Sequence, residues 1–148
     1  QLFIFTYQNK IKMNNNYKEL INESYEKFTD DVDIMWQKSG VGDLDDFIYD
    51  GLIISGYDEN NKWFGRLPTE EEFINKVKSD EGFSKRWGIK IVERELGLVE
   101  RRKIYLDKWT EKWGNTTVQF SINDMDSQNI PTKEIKVTYN GKTEIGYE

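Results

Sequence analysis

Two side chains that carry much of enzyme chemistry are missing from this sequence, which contains no cysteine and no histidine. Without cysteine there is no disulfide, no thiolate nucleophile and no cysteine metal ligand. Without histidine there is no Ser-His-Asp triad, and the side chain that titrates near neutral pH is absent. Catalysis would have to use carboxylates, lysine, tyrosine or a bound ion. The composition therefore favours a protein that is not an enzyme.

Long apolar runs are also missing. No stretch approaches the ~20 apolar residues that a transmembrane helix needs. The opening run Leu2-Phe3-Ile4-Phe5 lacks the basic residues and the small-residue cleavage site of a signal peptide. The sequence therefore predicts a soluble, cytoplasmic protein without a membrane partner. Residues 1–12 are either an extension ahead of Met13 or an edge strand, because LFIFTY has strong β character.

Charge and aromatic side chains are abundant. Of the 148 residues 32% are charged and 14% are aromatic, and the net charge is −6. A chain of this length can bury roughly 68–70% of its unfolded surface, so we expect one domain over residues 1–148 that folds without a cofactor. An acidic balance disfavours nonspecific binding to DNA or to anionic membranes. It suits the binding of cations or of a basic protein partner.

The first two-thirds of the chain show helical spacing. Thr29, Asp43 and Ser79 are predicted helix caps, and Thr69 with Glu72 forms the pattern of a capping box. Gly97 and Gly114 bracket a further apolar series with near-helical spacing. The spacing predicts helices over residues 14–28, 29–36, 44–54, 80–87 and 98–113, and one more that opens at Thr69.

The last third of the chain reads as strands. Residues 116–122 alternate with period two, and the runs 134–139 and 142–147 flank Asn140-Gly141. Asn-Gly suits a type I′ turn, so these two runs predict a hairpin. A short strand over 89–92 is also predicted, while Asp124 begins a turn before Pro131. The fold class is therefore α+β, with a helix-rich N-terminal two-thirds packed on a small antiparallel sheet formed mainly by the C-terminal hairpin region.

Charge is distributed unevenly along the chain. Residues 19–50 hold ten acidic side chains and two basic ones, whereas residues 85–113 hold nine basic and five acidic ones. The leading hypothesis is a small non-enzymatic binding or accessory protein, of the inhibitor or immunity type, whose acidic half binds a basic protein partner. The partner-binding residues expected from this reading are Asp43, Asp45, Asp46 and Asp50.

The same carboxylates support an alternative, a metal-dependent enzyme. Hard cations such as Mg²⁺ and Ca²⁺ prefer carboxylate oxygen. Asp43, Asp46 and Asp50 are three and four residues apart, so on a helix they share a face. Acidic first turns of helices are also ordinary, and a capped, solvated helix explains the cluster without a metal.

A second alternative is a module that binds single-stranded nucleic acid through Arg101, Arg102, Trp109 and Trp113. Aromatic faces stack on bases while cations pair with phosphates. The helical spacing of the two tryptophans also fits side chains of a hydrophobic core, with the cations at its edge. Three further aromatic residues that could stack on a sugar or a proline-rich peptide are Trp36, Tyr57 and Trp63.

Overall fold

The computed structural model describes residues 15–39, 44–114 and 122–148, and within them it confirms the α+β class. One sheet has two strands, β1 (Ile54–Tyr57) and β2 (Trp63–Arg66), and the other has three, in the order β3 (Ile89–Glu95), β4 (Lys133–Tyr139) and β5 (Lys142–Tyr147). The strand predicted over 116–122 and the alternatives for residues 1–12 lie almost wholly outside the described residues. The elements are α1 (Asn16–Lys38), α2 (Leu44–Tyr49), β1 (Ile54–Tyr57), β2 (Trp63–Arg66), α3 (Glu70–Ser79), α4 (Glu81–Trp87), β3 (Ile89–Glu95), α5 (Leu98–Trp113), α6 (Ile122–Ser127), β4 (Lys133–Tyr139) and β5 (Lys142–Tyr147).

The described residues divide into two compact units. Unit 1 contains the described parts of Gln1–Tyr17, Val92–Lys136 and Glu144–Glu148, and unit 2 contains those of Lys18–Ile91 and Val137–Thr143. The sequence ranges of unit 2 hold seventeen acidic and eleven basic residues, whereas those of unit 1 hold ten of each. The net charge of −6 therefore belongs to unit 2. The expectation of a single domain stays a prediction.

α1 is one uninterrupted helix, and the break predicted at Thr29 is wrong. The Thr29 hydroxyl donates to the carbonyl of Glu26 at 3.0 Å, a bond that threonine makes within a helix rather than at its N-cap. Val32 is fully buried one turn after Phe28. Because Val32 continues the apolar face past Thr29, burial holds the helix together to Lys38.

An aromatic cluster forms the core of unit 2. Phe28 lies at its centre and is fully buried. Its ring centroid is 4.9 Å from those of Phe73 and Trp87, and 5.6 Å from that of Phe83. Tyr25 packs edge-on against Phe73 at 5.6 Å. Phe28 belongs to α1 and Phe73 to α3, so the cluster packs these two helices against each other.

α2 ends earlier than the helix predicted over 44–54. Gly51 has φ 75°, a left-handed conformation that glycine adopts readily and that stops a helix. The chain then buries Leu52 and Ile53 fully and continues into β1. β1 and β2 form an antiparallel hairpin, which the helical spacing of this part of the chain did not predict. Asp58 holds the hairpin turn, since its carboxylate accepts from two backbone N–H groups at 2.9 Å.

The capping box that opens α3 is confirmed. The Thr69 hydroxyl accepts from the backbone N–H of Glu72 at 3.3 Å, and the Glu72 carboxylate accepts from the backbone N–H of Thr69 at 2.9 Å. The cap predicted at Ser79 is wrong by one residue. Asp80 caps α4 through a bond from the backbone N–H of Phe83 at 3.1 Å, since a carboxylate is a strong acceptor at a helix N-terminus.

Unit 1 is built around α5, and the helix predicted over 98–113 is confirmed. One face of α5 buries Ile104 and Tyr105 against Met125 and Ile130. The turn expected at Asp124 is instead a short helix, α6, whose buried face places Met125 in this core.

The C-terminal hairpin is confirmed, with β4 and β5 joined by Asn140-Gly141. Both turn residues have positive φ, 52° and 75°, as a type I′ turn requires. β3 extends to Glu95, three residues beyond the strand predicted over 89–92.

Candidate functional site

A stripe of five carboxylates runs along the exposed face of α1 in unit 2. The residues follow one another at steps of four, three, four and three, which places them on one face of a helix. Each is exposed, and at 1.5 Å per residue the stripe is about 21 Å long. We call this surface the acidic stripe; its members are Glu19, Glu23, Glu26, Asp30 and Asp33.

No ion pair among the described residues neutralises the acidic stripe. Glu26 and Asp33 accept hydrogen bonds only from neutral amides, those of Asn22 at 3.4 Å and Gln37 at 3.1 Å. Lys27 pairs instead with Asp31, at 3.1 Å, beside the stripe. Four pairs of like charge therefore remain as helix neighbours, each unfavourable by about 0.2–0.5 kcal/mol.

The continuity of α1 removes the simplest explanation for part of the stripe. Asp30 and Asp33 would stabilise the N-terminus of a helix that began at Thr29, because the helix dipole attracts negative charge there. In the structure they lie in the interior of α1. The dipole effect is confined to the first and last turns of a helix, so these carboxylates gain nothing from it.

A cleft of about 390 Å³ borders the stripe on the C-terminal half of α1. Ile34, one turn after Asp30, is 49% exposed at its edge. The indole Nε1–H of Trp87 is buried and has no hydrogen-bond acceptor among the described residues. A buried donor without an acceptor is unfavourable by about 1–3 kcal/mol. The lining side chains, all from unit 2, are Asp31, Ile34, Met35, Arg86 and Trp87.

The four aspartates expected to bind a partner or a metal are only partly brought together. Asp43 lies outside the described residues. Asp45 and Asp46 are exposed in the first turn of α2, where the helix dipole accounts for their charge. Asp50 pairs with Arg86 at 3.4 Å. Within residues 15–39, 44–114 and 122–148 no three carboxylates are placed to hold a metal ion together.

A groove of about 400 Å³ lies on α5 in unit 1. Its floor is an aromatic ladder with one ring per helical turn. The centroids of Tyr105 and Trp109 are 6.3 Å apart and nearly parallel, and those of Trp109 and Trp113 are 6.0 Å apart. We call it the ladder groove; its lining residues are Tyr105, Lys108, Trp109, Lys112, Trp113, Gln128 and Ile130.

The two arginines expected beside these tryptophans have separate environments. Arg101 has a side chain only 12% exposed, and it donates to Asp126 at 2.8 Å and to the carbonyl of Pro131 at 3.2 Å. Arg102 is exposed to solvent. Neither lines the ladder groove; its charged lining residues are Lys108 and Lys112. The nucleic-acid prediction chose both tryptophans and both arginines as site residues and left out Lys108 and Lys112, although each of these lysines directly precedes a tryptophan in the chain.

The remaining aromatic candidates lie around the β1-β2 hairpin. Tyr57 and Trp63 are directly opposite each other in the register, and both are exposed. The ring of Trp36 approaches Gly65, where an added Cβ would lie 3.6 Å from it. Two of these residues belong to the hairpin and the third packs beside it, and none of them lines either of the two concave sites described above.

Comparisons with models of protein families, with curated proteins and with solved structures found no match to this chain. In the described part of the chain, no helix is long and apolar enough to cross a membrane. A function for this protein must therefore be inferred from its own surface chemistry.

Proposed function

We propose that this protein is a non-enzymatic binding protein whose unit 2 docks a basic surface of a protein partner. The acidic stripe would meet cationic side chains of the partner, and the neighbouring cleft would accept an apolar side chain. No cofactor is required. The observation that carries this proposal is the row of five exposed carboxylates along α1, none of which forms an ion pair with a cation of the described residues.

The pairing of stripe and cleft supports docking rather than simple solvation. Protein interfaces commonly combine an apolar centre, enriched in aromatic residues and methionine, with a polar rim. The cleft supplies Ile34, Met35 and Trp87, and the stripe supplies charge beside them.

The electrostatics give the proposal a kinetic signature. Complementary charge steers diffusional encounter, and it raises the association rate more than it raises affinity. Screening acts over about 8 Å at physiological salt. The association rate of the partner should therefore fall as salt rises, while its dissociation rate should depend mainly on the cleft.

The test is affinity capture from a lysate of the source cells, followed by binding measurements on the purified partner. The stripe variant is Glu23→Gln/Glu26→Gln/Asp30→Asn, which removes three charges from α1. The control variant removes three exposed charges elsewhere in the chain and is Glu59→Gln/Glu71→Gln/Glu95→Gln. Both variants have the same net charge, so a difference between them reports position.

We expect the stripe variant to slow association of the partner at least tenfold at low salt and the control variant to leave it unchanged. Ile34→Ala, which reduces the apolar edge of the cleft, should instead speed dissociation. A partner that binds wild type and stripe variant equally well, at every ionic strength, would exclude the proposal. Asp45→Lys/Asp46→Lys tests in the same assay whether α2 contributes.

A further inference from the structure

The ladder groove of unit 1 has no role in the proposed docking of a basic partner. Trp113 is 57% exposed, so most of its indole surface is not committed to the core. The groove therefore offers an aromatic face to a ligand. Of the ladder's other two rings, Tyr105 belongs to the core of unit 1 and Trp109 packs against that core.

The charged side chains that line the groove are both cations. Lys108 and Lys112 are one helical turn apart, and Lys112 Nζ lies 5.2 Å from the ring centroid of Trp113. No ion pair among the described residues occupies Lys108 or Lys112. Two like charges at this spacing repel each other, and an anion placed between them would relieve the repulsion.

We infer that the ladder groove binds a nucleotide, with the base against the exposed part of the Trp113 ring and the phosphate between Lys108 and Lys112. A base stacks on an aromatic side chain whatever its sequence, because every base has a π face. The side-chain amide of Gln128, which also lines the groove, can both donate to and accept from a base edge. About 400 Å³ is within the range of small-molecule sites.

The acidity of the chain does not oppose this ligand. The sequence ranges of unit 1 contain equal numbers of acidic and basic residues, and the excess of negative charge belongs to unit 2. The inference is independent of the proposed function, because it concerns another unit and a ligand of opposite charge.

Two kinds of ligand carry both a base and a phosphate: a free nucleotide, and a nucleotide within a single strand. Calorimetric titration with uridine monophosphate tests the first source. Fluorescence anisotropy of a labelled short oligothymidylate tests the second, at about 50 mM and about 200 mM salt. Binding of either ligand supports the site, and the ratio of the two affinities identifies the source.

The variants separate stacking from charge. Trp113→Ala should weaken binding about 5- to 150-fold, the loss expected for one stacked base, and Trp113→Phe should restore much of it. Lys108→Gln/Lys112→Gln should flatten the salt dependence, whose slope for one phosphate contact on a single strand is about −0.7. Trp63→Ala and Lys62→Gln/Lys142→Gln are matched controls at exposed positions of unit 2 and should leave both quantities unchanged.

Three results would overturn the inference. One is the absence of binding of both ligands at low salt, with the wild-type protein shown to be folded by thermal unfolding. Another is binding that Trp113→Ala and Trp63→Ala weaken equally. The third is binding of a neutral disaccharide but of neither nucleotide ligand, which would assign the aromatic ladder to sugar stacking instead.

Discussion

The hydroxyl of Tyr17 donates a hydrogen bond to Glu148 Oε1 at 3.2 Å, which connects the first turn of α1 to a residue that follows β5. The Tyr17 ring lies directly over the backbone of Gly146, where a Cβ atom would overlap it. Both residues are buried. Burial, together with the negative charge of Glu148, raises the pKa of the Tyr17 phenol to about 12. The contact therefore depends on a neutral tyrosine and on the absence of a side chain at position 146.

The raised pKa predicts a loss of stability in alkali. An unfolded tyrosine titrates near pH 10, whereas folded Tyr17 keeps its proton until about pH 12. The stabilisation from this proton is complete below about pH 10 and is lost as the pH rises towards 12. Tyr17→Phe should therefore make the free energy of unfolding less dependent on pH in this window. Urea unfolding at several pH values measures this dependence. The control is Tyr49→Phe, because Tyr49 is 91% exposed.

Gly146→Ala should destabilise the protein through its contact with Tyr17. The added methyl group has no room, and overpacking of this kind is unfavourable by about 1–3 kcal/mol. The loss should shrink when Tyr17→Leu removes the ring, so a double-mutant cycle tests the mechanism. If Gly146→Ala has the same effect with and without the Tyr17 ring, the loss has another origin. Gly88→Ala is not a suitable control, because Gly88 has positive φ.

Arg101 and Arg102 should contribute differently to the stability of the protein, although they are neighbours in the sequence. Arg101 donates hydrogen bonds to Asp126 and to the carbonyls of Ile130 and Pro131. Hydrogen bonds of charged groups contribute about 1.5–3 kcal/mol, so Arg101→Ala should lower the free energy of unfolding by about 2–3 kcal/mol. Arg102→Ala, at an exposed position, should stay within about 0.5 kcal/mol of wild type. Equal urea midpoints for the two variants would contradict this assignment.

The features predicted correctly from the sequence depend on contacts within a few residues. The capping box joins Thr69 to Glu72 across three residues, and the type I′ turn is determined by Asn140-Gly141 itself. Two errors, the break predicted at Thr29 and the length of α2, arose where burial between distant segments decides the outcome. Burial of Val32 continues α1 past Thr29, and burial of Leu52 ends α2 earlier than its sequence pattern predicts.

The candidate site shows the same division. The steps of four and three in the acidic stripe are visible in the sequence, but the wrong break at Thr29 split the stripe between two helices. Arginine is a residue type that often contacts nucleic acid. In the structure, however, Arg101 donates a hydrogen bond to Asp126, twenty-five residues away. The concave shape of the ladder groove depends on Gln128 and Ile130 facing α5, which no local pattern indicates.

The lowered pKa of Glu72 predicts that the protein loses stability in acid. Arg66 donates to both oxygens of the Glu72 carboxylate, at 2.7 and 3.3 Å. These bonds, and the backbone N–H of Thr69, lower the pKa of Glu72 to about 2. An unfolded glutamate titrates near 4.3. The stabilisation is therefore present above that pH and is lost as the pH falls towards 2.

Glu72→Gln isolates this charge, because glutamine can still complete the capping box. Wild type should lose more of its free energy of unfolding than Glu72→Gln between about pH 5 and about pH 2. Glu71→Gln, one residue earlier and exposed, should follow the wild-type curve. Parallel curves for wild type and Glu72→Gln would show that the bond from Arg66 does not hold the carboxylate ionised.

The acidic stripe predicts that a variant with weakened binding will be more stable than wild type. Glu23→Gln/Glu26→Gln/Asp30→Asn removes all four repulsive neighbour pairs of the stripe, and it also removes the attraction of two of these carboxylates for Lys27. With each pair contributing about 0.2–0.5 kcal/mol, the net gain in the free energy of unfolding is about 0.5–1 kcal/mol. Urea unfolding at low salt measures this gain, which should shrink at high salt because exposed charges are screened. A stripe that merely keeps α1 solvated gives the same gain but leaves binding of the captured partner intact. A gain in stability together with slower association would show that the repulsion is retained because the partner relieves it.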